Sequence, residues 1–344
     1  MPGQVTLSDV AREAGVSLAT ASRALNGSAN RTVGEDLRKR VQAAAARLRY
    51  SPDGIAQAMA RGRTTSLGLV VPDIADPSYA AITAGVAEAA DQAGLTLTLA
   101  STGGDAEREV EIVRLLERQR ARAVVLAGGR AGDAGADQPV RAALESFRGI
   151  GGAVSAVGGG GLGVHSVEPA NRDGAADLAR ALHERGYRRF AVLGGSDGHA
   201  ATADRRAGFL AALAALGAPV PASRALPAPA TRDGGHEAMS RLLADGVEDL
   251  DAVFAVTDAM AAGALAAAHA AGVRVPDDLA LAGFDGIDVL RDVLPGLTTV
   301  RLPLGRIGQE VTRLALLPAA AEPEVVPVVG EVVLGGSTPG IAAR

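Results

Sequence analysis

Apolar Leu7, Val10, Ala11 and Ala14 recur at the i, i+3, i+4, i+7 spacing of a single helix face, and Gly15 then breaks the pattern. This predicts a short amphipathic helix ended by a glycine. After Val16, Ser17 is a good N-cap for a second helix, which would turn Leu18, Ala21, Ala24 and Leu25 inward and leave Ala19, Thr20, Ser22 and Arg23 outside. Two short helices around a glycine turn make a helix-turn-helix. A third helix is expected over 35–48, burying Leu37, Val41, Ala44, Ala45 and Leu48. Gly34 or Thr32 is placed to cap it, and Glu35 and Asp36 suit its positive N-terminal end.

Residues 50–64 begin with Tyr50-Ser-Pro-Asp and read as a Pro-led short helix and a glycine-containing linker. A helix of about ten residues is marginal alone, so this segment is expected to order only on a partner or on DNA. From residue 66 the period changes. Apolar runs at 67–71, 95–100, 123–127, 153–157, 189–193, 252–256 and 279–282 predict strands. They alternate with amphipathic helices near 79–93, 105–119, 137–147, 171–185, 203–216, 232–244, 259–271 and 304–317. Such alternation predicts an α/β fold of doubly wound parallel sheets covered on both faces. Its length suggests two similar lobes with a cleft between them.

Charge is divided unevenly along the 344 residues. Residues 1–63 hold ten Arg or Lys against five Asp or Glu, whereas the remainder holds 24 against 34. A basic head on an acidic body fits a modular nucleic-acid binder, with positive potential confined to the helix-turn-helix. The chain has no cysteine, which excludes disulfides, thiolate nucleophiles and Cys-ligated zinc. Its first residues lack the charged start and apolar run of a secretory signal, and no stretch reaches 18 apolar residues. A cytoplasmic protein without a membrane segment is therefore expected.

No catalytic constellation emerges. The single lysine, Lys39, is followed by Arg40, so the phosphate loop of nucleotide hydrolases is absent despite the glycines at 128–129, 158–161 and 194–195. Those glycines are expected to form turns after strands. The five histidines lack H-E-x-x-H spacing, and Gly195-Ser-Asp-Gly198 does not have the spacing of a nucleophile elbow. No cofactor, metal or enzymatic activity is expected.

The runs Val5-Thr-Leu-Ser-Asp-Val-Ala-Arg-Glu-Ala-Gly-Val-Ser, Thr20-Ala-Ser-Arg-Ala-Leu-Asn-Gly and Tyr50-Ser-Pro-Asp resemble the lactose-repressor (LacI/GalR) family of transcription regulators. The resemblance continues through Asp76-Pro-Ser-Tyr, Asn171-Arg-Asp-Gly, Arg205-Arg-Ala-Gly-Phe, Asp251-Ala-Val-Phe-Ala-Val-Thr-Asp-Ala-Met, Val275-Pro-Asp-Asp-Leu-Ala-Leu-Ala-Gly-Phe-Asp and Leu297-Thr-Thr-Val-Arg-Leu-Pro. It implies a DNA-binding domain over 1–49, a hinge helix and linker over 50–64, and a periplasmic-binding-protein-like core of type I over 65–344. Lobe one would be about 66–165 plus 297–323, and lobe two about 166–296 plus 324–344. A homodimer on a pseudo-palindromic double-stranded operator is implied. Four prolines and no leucine heptad in the last 29 residues argue against a tetramerising zipper.

By that resemblance Thr6, Ser17, Leu18, Ala19, Thr20, Ser22, Arg23 and Asn26 would contact DNA, with Arg23 able to pair guanine O6 and N7. Met59, with Ala56 beside it, matches the hinge position that wedges a minor-groove base step. Asp53 stands where asparagine is commoner. Tyr79, Arg205, Thr257, Asp258 and Asp285 follow predicted strands or open helices and would line an effector site. There an arginine and a carboxylate suit a polyhydroxylated ligand, a sugar or sugar phosphate. Asp258 has an alternative as a helix cap, Arg205 as a surface partner of Asp204 or a neighbouring acid, and Tyr79 as core. Thr257 and Ala170 depart from the asparagine and aspartate frequent in the family. The chain is thus expected to be a ligand-controlled regulator, most simply a repressor. A transport-type sugar-binding protein and an α/β enzyme with a DNA-binding head are the rivals.

Overall fold

The computed structural model describes residues 5–26, 33–50, 63–128, 137–159, 161–195, 199–292, 295–317 and 322–341. The chain divides into two compact units, Met1–Thr64 and Thr65–Arg344.

The first unit holds α1 (Leu7–Ala14), α2 (Leu18–Asn26) and α3 (Glu35–Arg47). Their inward faces close a small core of Val10, Ala11, Ala14, Ala21, Ala24, Val41, Ala44 and Ala45. The Thr6 hydroxyl and the Asp9 carboxylate cap α1 reciprocally, and Gly15 takes the left-handed conformation at φ 62° that ends it. Two inward expectations fail. Leu18 is 52 % and Leu37 36 % exposed, because a core built mainly of alanines and valines is too thin to reach them.

The second unit opens with β1 (Ser66–Val71), α4 (Pro77–Gln92), β2 (Thr96–Ser101), α5 (Ala106–Arg118), β3 (Ala123–Ala127), α6 (Gln138–Gly149), β4 (Ala153–Val157) and β5 (His165–Pro169). It continues with α7 (Asn171–Glu184), β6 (Phe190–Leu193), α8 (Ala200–Ala215), β7 (Ala225–Leu226), α9 (Arg232–Ala244), β8 (Ala252–Ala255), α10 (Asp258–Ala270), β9 (Ala280–Ala282) and α11 (Val289–Asp292). Then come β10 (Thr299–Arg301), α12 (Leu304–Ala315), β11 (Val325–Val328) and β12 (Glu331–Val333).

Lobe one is a six-stranded parallel sheet of order β11-β5-β4-β3-β1-β2. Its central strands alternate between two cores. Leu67, Leu69, Val125 and Ala127 face α4 and α12, while Val70, Val124 and Leu126 face α5 and α6. This two-sided burial is why those strands read as unbroken apolar runs. The edge strand β2 is different, since most of it is exposed and Leu99 is 42 % accessible. Helices α4 and α12 approach so closely that a methyl group on Gly85 would lie 1.9 Å from the Gly305 carbonyl oxygen.

Lobe two is a four-stranded parallel sheet of order β7-β6-β8-β9, with α7 packed on α8 and α9 on α10. Phe209 stacks on Phe254 at 4.4 Å between ring centres and meets Phe190 edge-on at 5.8 Å.

Three segments join the lobes. Ala170 N–H donates to the Val328 carbonyl, and β10 pairs antiparallel with β12 in the register Thr299 to Val333. Both β5 and β11 belong to the first sheet, which corrects the division that put 166–169 and 325–328 in lobe two. The reason is local: Val325–Val328 finds its hydrogen bonds alongside β5 at the sheet edge. The tail then returns to lobe two, where Ser337 Oγ donates to the Leu281 carbonyl and Ile341 N–H to that of Arg185.

Candidate functional site

The outward face of α2 presents Leu18, Ala19, Thr20, Ser22 and Arg23. Ser17 opens the helix: its hydroxyl accepts from Thr20 N–H at 3.2 Å and lies 2.8 Å from the Thr20 hydroxyl. Arg23 Nε donates to the Ala19 carbonyl at 2.9 Å, which lays the guanidinium along the helix with its terminal nitrogens beyond that bond. Leu18, half exposed, lies on this outer surface. Thr6 is exposed at the start of α1 and is engaged with Asp9 in the cap; its hydrogen bonds hold the Asp9 carboxyl below its usual range. Asn26 is the last residue of α2, and its side chain lies outside the described residues, as do Asp53, Ala56 and Met59.

Arg40 Nη2 donates to the Ala14 carbonyl at 2.7 Å, and Arg47 pairs with Glu13 at 3.0 Å. Both fasten α3 to α1, so the two arginines have structural partners within the basic unit. They hold α1, and with it the turn that presents α2.

In the second unit three segments converge on Arg205, which sits in α8. Its Nη2 lies 2.8 Å from Asp285 Oδ1, its Nε donates to Asn171 Oδ1 at 2.8 Å, and its Nη1 donates to the Val256 carbonyl at 3.0 Å. The Phe284 ring lies 4.0 Å below the guanidinium carbon. Arg205 and Asp285 are 6 % and 4 % exposed. A charge so deprived of water persists because it is paired, hydrogen-bonded and laid on an aromatic face. The alternative partner is excluded: Asp204 faces Arg172, at 3.9 Å.

Asp285 follows β9 with φ at 127°, a conformation rare for a residue with a side chain. Its backbone is held on both sides, donating from N–H to the Val300 carbonyl and accepting from Leu302 N–H. Burial pushes the Asp285 carboxyl up to about 7. The Asp258 and Asp76 carboxylates add to the rise, and Arg205 opposes it. Asp76 caps α4 in lobe one, where its Oδ1 accepts from Ser78 N–H at 2.8 Å and the Ser78 hydroxyl at 2.7 Å. The acidic field on Asp285 therefore comes from both lobes.

The remaining predicted residues divide. Tyr79, in the first turn of α4, is half-buried against the core. Thr257 is the N-cap of α10, its hydroxyl accepting from Met260 N–H. Asp258 does not fit the expectation of a ligand contact. It is fully buried, with Oδ2 accepting from Gly286 and Ile287 N–H at 2.8 Å each and Oδ1 from the Thr299 hydroxyl at 2.7 Å. It is not the helix cap either. Burial pushes its carboxyl up, against the pull of these three donors and of Arg205. Asn171 and Phe284 were not singled out as site residues. Their signal lay in the motifs Asn171-Arg-Asp-Gly and Gly283-Phe-Asp, which carry the family resemblance.

Known proteins bring both units under one description. Residues 6–53 match bacterial regulatory proteins of the lacI family, and residues 179–338 match a periplasmic binding protein-like domain. The transcriptional regulator GalS of Salmonella typhimurium is 35 % identical over 327 residues, covering 92 % of this chain and 90 % of that protein. A Lac repressor dimer solved on its operator with the anti-inducer ONPF has a TM-score of 0.83 at 25 % identity, covering 98 % of this chain and all of that one. A transcriptional regulator CelR–cellobiose complex has a TM-score of 0.69 at 29 % identity, covering 97 % and 99 %. With a helix-turn-helix, two parallel α/β lobes and this similarity along nearly its whole length, the chain belongs to the LacI family of bacterial transcription regulators.

Proposed function

We propose that the chain is a cytoplasmic repressor that grips a pseudo-palindromic operator as a homodimer and changes its grip when a sugar or sugar phosphate enters the pocket at Arg205 and Asp285. The observation that carries this reading is the buried, aromatic-backed Arg205–Asp285 pair. Three of the five guanidinium N–H groups are engaged among the described residues, and the rest remain for a ligand. A donor fork beside a carboxylate suits adjacent hydroxyl groups, each of which both gives and takes a hydrogen bond. The CelR relative was solved as a complex with cellobiose, which supports a sugar as the class of ligand. No catalytic group is assigned: the protein acts by binding, as its regulator relatives do.

On α2, the DNA-reading residues are Leu18, Ala19, Ser22 and Arg23, with Ser17 and Thr20 toward phosphate and Thr6 and Asn26 at the ends of the motif. Leu18 and Ala19 offer apolar contact, as to a thymine methyl, and Arg23 offers a charged fork. Effector binding acts on the DNA only through unequal affinity for the two lobe arrangements. The test is a two-step titration: select a duplex from random sequence with the purified protein, then add cellobiose, glucose, ribose and their phosphates to the complex. Release or tightening by one of them supports the reading. Duplex binding that ignores the whole panel contradicts the sugar assignment.

A further inference from the structure

Asp258 is the least accessible acid of the pocket region, and its partners describe a clamp. One carboxylate oxygen takes the amides of Gly286 and Ile287, the two residues that follow Asp285; the other takes the hydroxyl of Thr299 on β10. Its own N–H donates to the Phe284 carbonyl at 2.7 Å, immediately before Asp285. Asp285 is thus bracketed by bonds from a single residue of α10. The neighbouring chain is shaped to admit that carboxylate: a methyl group on Gly283 would lie 2.2 Å from Asp258 Oδ1, and one on Gly286 would lie 2.6 Å from the Arg301 α-carbon. The fold keeps a glycine at 283, where a side chain would block the clamp, and one at 286, where a side chain would strike β10.

A residue at φ 127° does not hold that conformation unaided. The ladder bonds to Val300 and Leu302 fix where Asp285 sits along β10, while the bonds on either side of it from Asp258 fix the turn of the backbone. That turn directs the Asp285 carboxylate to Arg205. We propose that Asp258 is a positioning residue for the effector site: without touching ligand, it holds Asp285 in its strained conformation and ties the 285–287 loop to crossing strand β10. The inference rests on the reading of the Arg205–Asp285 pocket as the effector site.

Asparagine can replace the clamp and alanine cannot. In Asp258→Asn the carbonyl oxygen still accepts from both amides, and the amide nitrogen can donate to Thr299 Oγ. Amide exchange of the full-length protein without ligand is the first measurement. Asp258→Ala should speed exchange at residues 286–287 by about tenfold or more while β8 keeps its protection, and Asp258→Asn should stay within about threefold of the parent. A uniform rise across lobe two, protected 286–287 amides in the alanine variant, or no rescue by asparagine would overturn the clamp. Should the alanine variant not fold, Thr299→Val serves: it should loosen residues 299–301 and leave 286–287 protected, and the reverse would overturn the assignment.

The second measurement is release of the selected duplex by cellobiose, glucose or ribose. Asp258→Ala should require about tenfold more sugar than the parent, and Asp258→Asn a similar amount to the parent. A sugar response unchanged in the alanine variant overturns the positioning role and leaves the pocket reading standing. A parent that ignores all three sugars and their phosphates overturns the pocket reading itself, whatever the exchange shows.

Discussion

Arg205 and Asp285 meet at 2.8 Å with almost no exposure to water, and each arrives from a different element, α8 and the end of β9. The pair joins pieces 80 residues apart in the chain, so it reports both on the fold and on the proposed effector site. Arg205 also holds Asn171 at the first turn of α7, so one guanidinium gathers three chain segments beside the crossing strands. A ligand that drew on this cluster would act where lobe two meets its connections.

Asp285→Asn removes one charge of the pair and leaves Arg205 buried beside a neutral amide. Breaking a buried pair in this way costs about 3–5 kcal/mol in general; here burial and the neighbouring acids already disfavour the charged form of Asp285, so a loss well below that range is expected. Urea unfolding gives the stability change. Binding to the selected duplex should survive, because α2 is untouched, while the response to sugar should be lost. Loss of DNA binding with an intact sugar response would be the wrong way round.

The pH dependence has a definite sign. Asp285 is raised from 3.8 to about 7 in the folded protein. A carboxyl raised in this way contributes stability that is complete below the unfolded value and is lost as pH climbs through the folded one. Thermal unfolding between about pH 5 and pH 8 should therefore show a midpoint falling with pH, and Asp285→Asn should flatten the curve. Equal slopes in parent and variant would remove Asp285 as the cause.

Gly263 in α10 packs directly on α9, where an added methyl would lie 1.8 Å from the Arg232 carbonyl oxygen. Backbone cannot yield as a flexible side chain does, so Gly263→Ala should destabilise lobe two by about 1–3 kcal/mol. Denaturant titration reads the loss, and a neutral result would mean that the helices are spaced more widely than described.

Arg23→Ala should weaken binding to the selected duplex by about 1–3 kcal/mol and relax its sequence preference. Isotherms on selected and scrambled duplexes compare the two effects. Ser17→Ala should act differently, costing about 1 kcal/mol of helix stability by removing the acceptor for Thr20 N–H. If the arginine variant discriminates as well as the parent, Arg23 holds only phosphate or nothing.

The periodic parts of the chain were legible because their burial is periodic. Helices α1 to α3 and strands β3 and β4 lie where the spacing of apolar residues puts them, and β3 ends at Ala127 as read. Other parts depend on distant partners. Strand β5 carries His165, Glu168 and Pro169, and β10 and β12 are three residues long, so their pairing rather than their pattern makes them strands. Strand β2 reads as buried but forms an exposed sheet edge. Of the proposed effector site, Arg205 and Asp285 could be found from motif and position. The inward turn of Asp258 could not, because residues 286, 287 and 299 that receive it lie 28 to 41 positions away.

Fluorescence anisotropy of a labelled duplex, selected by the full-length protein and titrated at moderate ionic strength with and without the sugar panel, tests the central claim most directly. A regulator of this kind should prefer a two-fold symmetric sequence over a scrambled one and change that affinity by about tenfold or more when the right sugar is added. Equal affinity for both duplexes, unmoved by any sugar or sugar phosphate, would contradict it.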